Sequence, residues 1–146
     1  MKTRRPPTQQ EHLRGRQMEQ AMLRYLSDLR DRSEINTFGQ PDAIYMRHGK
    51  LYLVEVKRQS VYTAPPFDGH GLPVDQALRY RLIHEATKIR TLLIVWDDNT
   101  CWMQWVDLLE RGPSHDTSGT NTGPRRIYPL DSFNEYPGLF HYARSA

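Results

Sequence analysis

Two acidic residues and a lysine, Asp42, Glu55 and Lys57, are spaced so that a simple fold of the chain would bring them together. Between them run two apolar stretches, Ala43 to Arg47 and Lys50 to Lys57, rich in Ile, Val, Leu and Tyr. His48-Gly49 joins the two and suits a two-residue hairpin turn, with glycine supplying a positive φ. On that turn Arg47 faces Lys50, Ile44 faces Leu53, and Asp42 faces Glu55. Directly opposed residues share a face of the sheet with Cβ atoms about 4.5–5.5 Å apart, so two carboxylates are expected side by side, at a cost in hairpin stability. Strand alternation puts Lys57 on the same face as Glu55. Paired carboxylate oxygens suit Mg²⁺, which takes one or two carboxylates, keeps several waters and accepts a phosphate oxygen of a substrate. A lysine alongside can orient or help deprotonate a water, or stabilise negative charge at phosphorus.

These residues must be positioned by the elements around them. From about Gln9 to Arg32, apolar residues including Leu13, Met18, Met22, Tyr25, Leu26 and Leu29 recur at three- and four-residue steps and predict an amphipathic helix. Ser33 to Pro41 carries the turn formers Asn36, Gly39 and Pro41, and Gln59 to Val74 carries three prolines and two glycines, so both are expected as loops. A second helix is predicted from Val74 to about Lys88, with Ala77, Leu78, Leu82, Ile83 and Ala86 on its buried side. Thr91 to Trp96 is an almost continuous apolar run, as in a central strand, and Asp98-Asn99 turns it into a hairpin partner, Cys101 to Val106. A short helical turn is expected around Leu108. The aromatic tail from Ile127 to Tyr142 is expected to pack back on the domain or on a second copy of it. The order helix, strand, strand, helix, strand, strand indicates an α/β fold around a mixed sheet, with the segment after Lys57 long enough to cross over to a parallel strand.

A chain of 146 residues has room for one domain with one core. With 38% hydrophobic and 25% charged residues it has the balance of a folded soluble protein. No stretch reaches the roughly 20 apolar residues of a membrane span, and no apolar run follows the basic start, so neither secretion nor anchoring is indicated. The single cysteine, Cys101, can form no internal disulfide, which makes the cytoplasm the expected location. A formal net charge of +3 permits a polyanionic partner without requiring one. No pair among the six histidines has the spacing of a zinc motif, His48 reading as a turn residue and His70 as a loop residue near a nucleic acid. No nucleophile-elbow glycines surround Ser60, Ser114 or Ser132, and no Walker-type glycine loop implies a nucleotide cofactor. Trp102 and Trp105 read as core or interface aromatics before base-stacking platforms.

Pro41-Asp42 followed by Glu55-Val56-Lys57, in this hairpin context, resembles the signature of the PD-(D/E)XK nuclease superfamily. Gly15-x-x-x-Glu19 in the first predicted helix lies where members often carry an acidic residue that helps hold the metal or its water. Gln76-x-x-x-Tyr80 after the lysine strand is similar to a pattern of several branches, and residues four apart share a helix face. Within the superfamily the small size and the Gly-x-x-x-Glu helix look like archaeal-type Holliday junction resolvases, which act as homodimers. Two departures are the stretch Ile35 to Gln40, where those resolvases usually have serine and glycine, and the longer Gln59 to Val74 loop.

The resemblance implies a restriction-endonuclease-like core, α/β with a mixed central sheet flanked by helices. Residues 1–146 are then expected as a single nuclease domain, and composition adds a basic tail over 1–8 and a polar, glycine-bearing stretch over 112–124 expected as a mobile loop. The resemblance places Glu19, Asp42, Glu55, Lys57, Gln76 and Tyr80 in the catalytic site, with the metal held by Asp42, Glu55, Val56 and Glu19. Mg²⁺ is the implied cofactor, Mn²⁺ substituting. The implied partner is DNA, branched DNA in particular, cut by a homodimer without a membrane or a nucleotide cofactor. Arg14, Arg16 and Arg24 on the first predicted helix, with Arg79 and Arg81 on the second, are expected to track phosphates. Three other functions fit the same residues: a catalytically silent DNA-binding module of the same fold, a virus-type replication-repair nuclease, and an RNA-cutting member.

Overall fold

A computed structural model of the chain describes residues 34–37, 42–118 and 123–138, the first of these segments as backbone alone. Nine strands and two α-helices fall within them: β1 (Glu34–Thr37), β2 (Ala43–Arg47), β3 (Lys50–Arg58), β4 (Gly69–Pro73), α1 (Val74–Thr87), β5 (Arg90–Trp96), β6 (Cys101–Trp105), α2 (Val106–Leu109), β7 (His115–Asp116), β8 (Arg125–Pro129) and β9 (Asn134–Glu135). Six strands form the main sheet in the order β1-β2-β3-β5-β6-β9, and β4-β8-β7 form a second, smaller sheet. The predicted first helix lies outside the described residues.

The β2–β3 hairpin has the predicted register, with Arg47 opposite Lys50 and Ile44 opposite Leu53. His48 (φ 50°) and Gly49 (φ 76°) both occupy the left-handed region, the geometry that matches the twist of two paired strands. β3 runs parallel to β5, Glu55 beside Leu93 and Lys57 beside Val95, and β5 then pairs antiparallel with β6. The apolar run of β5 is explained by burial on both faces: Leu93, Ile94, Val95 and Trp96 are all fully inaccessible. On one face Ala43, Tyr45, Val54, Ile94 and Met103 pack together. On the other, Leu53, Leu93 and Val95 meet Ala77 and Tyr80 of α1, Val106 and Leu109 of α2, and Leu72 and Tyr128 of the second sheet. Glu55 and Lys57 lie on this helix-covered face by strand alternation.

Two loop expectations are corrected. Ser33 to Pro41 is not loop throughout, because Glu34–Thr37 pairs antiparallel with β2 as the edge strand β1. Gln59 to Val74 is not a continuous loop either, since Gly69–Pro73 pairs with β8. Its glycines are what permit this: a Cβ on Gly69 would lie 2.0 Å from the Tyr128 carbonyl oxygen, and one on Gly71 1.8 Å from that of Arg126. A side chain at either position would force the two backbones apart. Within the 112–124 stretch, His115–Asp116 forms β7, which pairs with β8. The buried side of α1 also differs from the helical pattern. Ala77 and Tyr80 are its buried residues, while Leu78 and Leu82 are 40% and 63% exposed. Among the described residues no helix is long and apolar enough to cross a membrane.

Candidate active site

Asp42 immediately precedes β2, and its Oδ2 accepts a hydrogen bond from the Val56 backbone N–H at 2.7 Å. A side-chain carboxylate, not a backbone carbonyl, therefore takes this N–H at the open end of the hairpin. The bond fixes Asp42 beside β3 and puts its charge close enough to Glu55 to act on it. Glu55 is 1% exposed, and neither of its oxygens faces bulk water. Its Oε1 accepts a hydrogen bond from the Tyr80 hydroxyl of α1, while its Oε2 makes no hydrogen bond among the described residues and lies 3.5 Å from the Lys57 ammonium. Lys57 keeps part of its side chain accessible to solvent.

Burial and the neighbouring Asp42 charge raise the Glu55 carboxyl to about 7, against the pull of Lys57 and of the Tyr80 hydrogen bond. Burial also pushes the Tyr80 hydroxyl well above its ordinary range, and the Glu55 contact adds to this, so Tyr80 remains a hydrogen-bond donor at any working pH. A carboxyl buried next to a second carboxylate, with one oxygen left without a hydrogen bond, is poorly served by the protein alone. A divalent cation would satisfy it, and the donor set of two carboxylates is the hard-oxygen kind that Mg²⁺ takes.

Four of the six predicted catalytic residues, Asp42, Glu55, Lys57 and Tyr80, are thus brought together. Gln76 lies one helical turn before Tyr80, and its buried Oε1 has no hydrogen-bond partner among the described residues. Glu19 lies outside the described residues. Among them no group of three or more His, Cys, Asp or Glu side chains gathers as a metal site, so Asp42 and Glu55 stand as a pair. Val56, named with the metal ligands, directs its side chain to the opposite face and its N–H to Asp42. Of the expected phosphate-tracking arginines described, Arg79 and Arg81 are exposed on α1, Arg81 pairing with Glu85 at 3.1 Å. His70 is not near the surface: it is fully buried in β4 and bonded to Asp97. In the sequence His70 stands between Gly69 and Gly71, a small-residue setting that lets the backbone of β8 approach closely on either side of it.

No family model matches the chain, and no curated protein matches it by sequence. Among solved structures it is similar to the 1.6 Å structure of Archaeoglobus fulgidus Hjc, a Holliday junction resolvase from an archaeal hyperthermophile. The TM-score is 0.56 at 14% sequence identity, over 86% of this chain and 93% of that one. At this identity the likeness establishes the fold, which is the restriction-endonuclease-like arrangement of a mixed central sheet with helices.

Proposed function

We propose that the chain is a metal-dependent nuclease that hydrolyses phosphodiester bonds in DNA at Asp42, Glu55 and Lys57. The observation that carries this is the Glu55 carboxyl: buried, raised to about 7, and set between the Asp42 carboxylate and the Lys57 ammonium on the helix-covered face of the sheet. A buried carboxyl with a raised affinity for its proton, beside a second carboxylate and a lysine, is the kind of group that functional sites gather, and a bound cation would offset the repulsion between the two carboxylates. Asp42 and Glu55 would hold Mg²⁺ or Mn²⁺, with Glu19 and Val56 proposed as further ligands. When bound, the ion supplies neutralisation of phosphate charge and acidification of the attacking water. Lys57 orients that water and the scissile phosphate. Tyr80 holds Glu55 in one rotamer through its hydroxyl, and Gln76, one helical turn earlier, is proposed to support the site from the same helix.

Tyr80→Phe is expected to lower cleavage by about 10-fold, the usual cost of losing a group that orients a metal ligand. Because the Tyr80 hydrogen bond also works to lower the Glu55 carboxyl, the same variant should need a higher pH to bind Mg²⁺. Calorimetric Mg²⁺ titrations at several pH values check this. An unshifted profile would assign Tyr80 to packing alone.

We further infer a homodimer acting on branched DNA. Leu78 and Leu82 of α1 and Leu108 of α2, at 40%, 63% and 40% exposure, are large apolar residues left open on neighbouring helices, and a second copy would cover them. A mass measurement in solution, paired with cleavage of a four-way junction and of plain duplex, tests this. A dimer that prefers the junction is expected. A monomer, or equal cutting of both substrates, would remove the resolvase reading and leave a general nuclease.

A further inference from the structure

A second polar cluster lies where β3, β4 and β5 converge, and the proposed chemistry does not use it. Gln59 follows the end of β3, two residues beyond Lys57. Its Oε1 accepts from the Gly71 N–H at 2.9 Å and its Nε2 donates to the Gly71 carbonyl at 3.1 Å. Backbone chemistry therefore fixes which end of the amide is oxygen. That same Oε1 lies 3.1 Å from His70 Nδ1, and an oxygen can only accept, so Nδ1 must carry a proton. The other ring nitrogen, Nε2, lies 2.9 Å from Asp97 Oδ2.

Asp97 follows the end of β5 and accepts three further N–H groups, from Asn99 at 2.9 Å, Thr100 at 2.8 Å and the Trp102 indole at 2.7 Å. Burial works to raise this carboxyl, but the bonds from His70, Asn99, Trp102 and Thr100 prevail and hold it below the usual carboxylate range. Such a carboxylate is a poor place for the shared proton. Burial outweighs the Asp97 contact and leaves the affinity of the His70 ring for a proton below that of a free imidazole. The bonding argues the other way, because both ring nitrogens face oxygens that can only accept, one on Gln59 and one on a carboxylate already taking three N–H groups. Around the ring stand Gln59, Asp97, Trp102 and Phe133, with Tyr128 opposite it in β8 turning its hydroxyl to Glu110. Asp97 is the one ionisable group among these in hydrogen-bond contact with His70.

β4 runs straight into α1 at Val74, and α1 carries Gln76 and Tyr80. Anchoring His70 and Gly71 to the ends of β3 and β5 therefore sets where the helix starts relative to Glu55 and Lys57. We propose that His70 is a buried imidazolium, clamped between Gln59 and Asp97, and that these three are positioning residues that hold Tyr80 of α1 on Glu55. The positioning role rests on the nuclease reading of the Glu55 site; the charge state of His70 does not.

The test starts with the wild-type, ¹⁵N-labelled full chain at about pH 7.5, where a free imidazole, titrating near 6.5, is mostly neutral. Protons on both His70 ring nitrogens are expected, and one bare nitrogen would overturn the proposal while leaving the nuclease reading in place. Asp97→Asn removes the charge at nearly constant volume. It should strip the second ring proton, move the pH midpoint of Mn²⁺ binding upward as Tyr80 releases Glu55, and cut turnover about 10-fold with little change in DNA affinity. Gln59→Leu, which spares the Asp97 turn, should act in the same direction and serves if Asp97→Asn does not fold. An unmoved Mn²⁺ profile in a folded variant would reduce the cluster to a structural staple. Absence of Mn²⁺ binding by the wild type would overturn the Glu55 site and the positioning role with it, whatever the charge of His70.

Discussion

Glu55→Gln is expected to abolish cleavage and, without metal, to make the folded protein more stable at neutral and alkaline pH. Both outcomes follow from one fact, a carboxyl raised from 4.5 to about 7 by burial and by Asp42. In the folded chain the proton is held more tightly than in the unfolded one. The stability it contributes is full below about 4.5, declines as pH rises, and is lost above about 7. With Glu55 at 1% exposure, that loss is on the order of 3 kcal/mol. Glutamine mimics the protonated form, so denaturant midpoints for the wild type and the variant should agree at acid pH and separate above neutrality. Mg²⁺ affinity of the wild type should rise with pH up to about 7 and then level off, since proton and metal compete for the same oxygens. Asp42→Ala should also abolish cutting, and by removing the neighbouring charge should lower the Glu55 value. A Glu55→Gln or Asp42→Ala protein that cut DNA normally at saturating Mg²⁺ would remove the site altogether.

Lys57→Ala is expected to slow the chemical step by about 10²–10³-fold while changing DNA affinity little, because one ammonium at the reacting phosphate is a small part of a backbone-binding surface. Its amine lies 3.5 Å from Glu55 Oε2, and its charge works to lower the Glu55 carboxyl. The variant should therefore bind Mg²⁺ less well near neutral pH, so rates are best compared at about pH 8.5 with saturating metal. Single-turnover rates and binding constants, measured separately, decide the role of the lysine. Equal losses in both would recast Lys57 as a phosphate clamp.

Much of the site was legible in the sequence because it is local. His48-Gly49 set the hairpin register, and that register brought Asp42, Glu55 and Lys57 to one place by alternation alone. The parallel β3–β5 pairing followed from a crossover long enough to be a helix and from the unbroken apolar run of β5. What stayed hidden depends on contacts distant in sequence. β4 is an edge of a second sheet made with β8, more than fifty residues later, and its Gly, His and Pro content reads as loop. The His70–Asp97 pair joins residues 27 apart, and nothing near either one announces the other. For α1, periodicity offered more apolar residues than one face can bury, and Leu78 and Leu82 were left outside once Tyr80 turned inward to Glu55.

The most direct test of the nuclease assignment is cleavage itself, with purified wild type and Glu55→Gln given linear duplex, single strands, a flap and a four-way junction, with Mg²⁺ and with a chelator. Cutting by the wild type in Mg²⁺ alone, and none by the variant under any condition, is the predicted result. Cutting that persists in the chelator, or that the variant shares, would contradict a catalytic metal at Asp42 and Glu55; binding of these DNAs with no cutting by the wild type would make the chain a silent module on a nuclease fold.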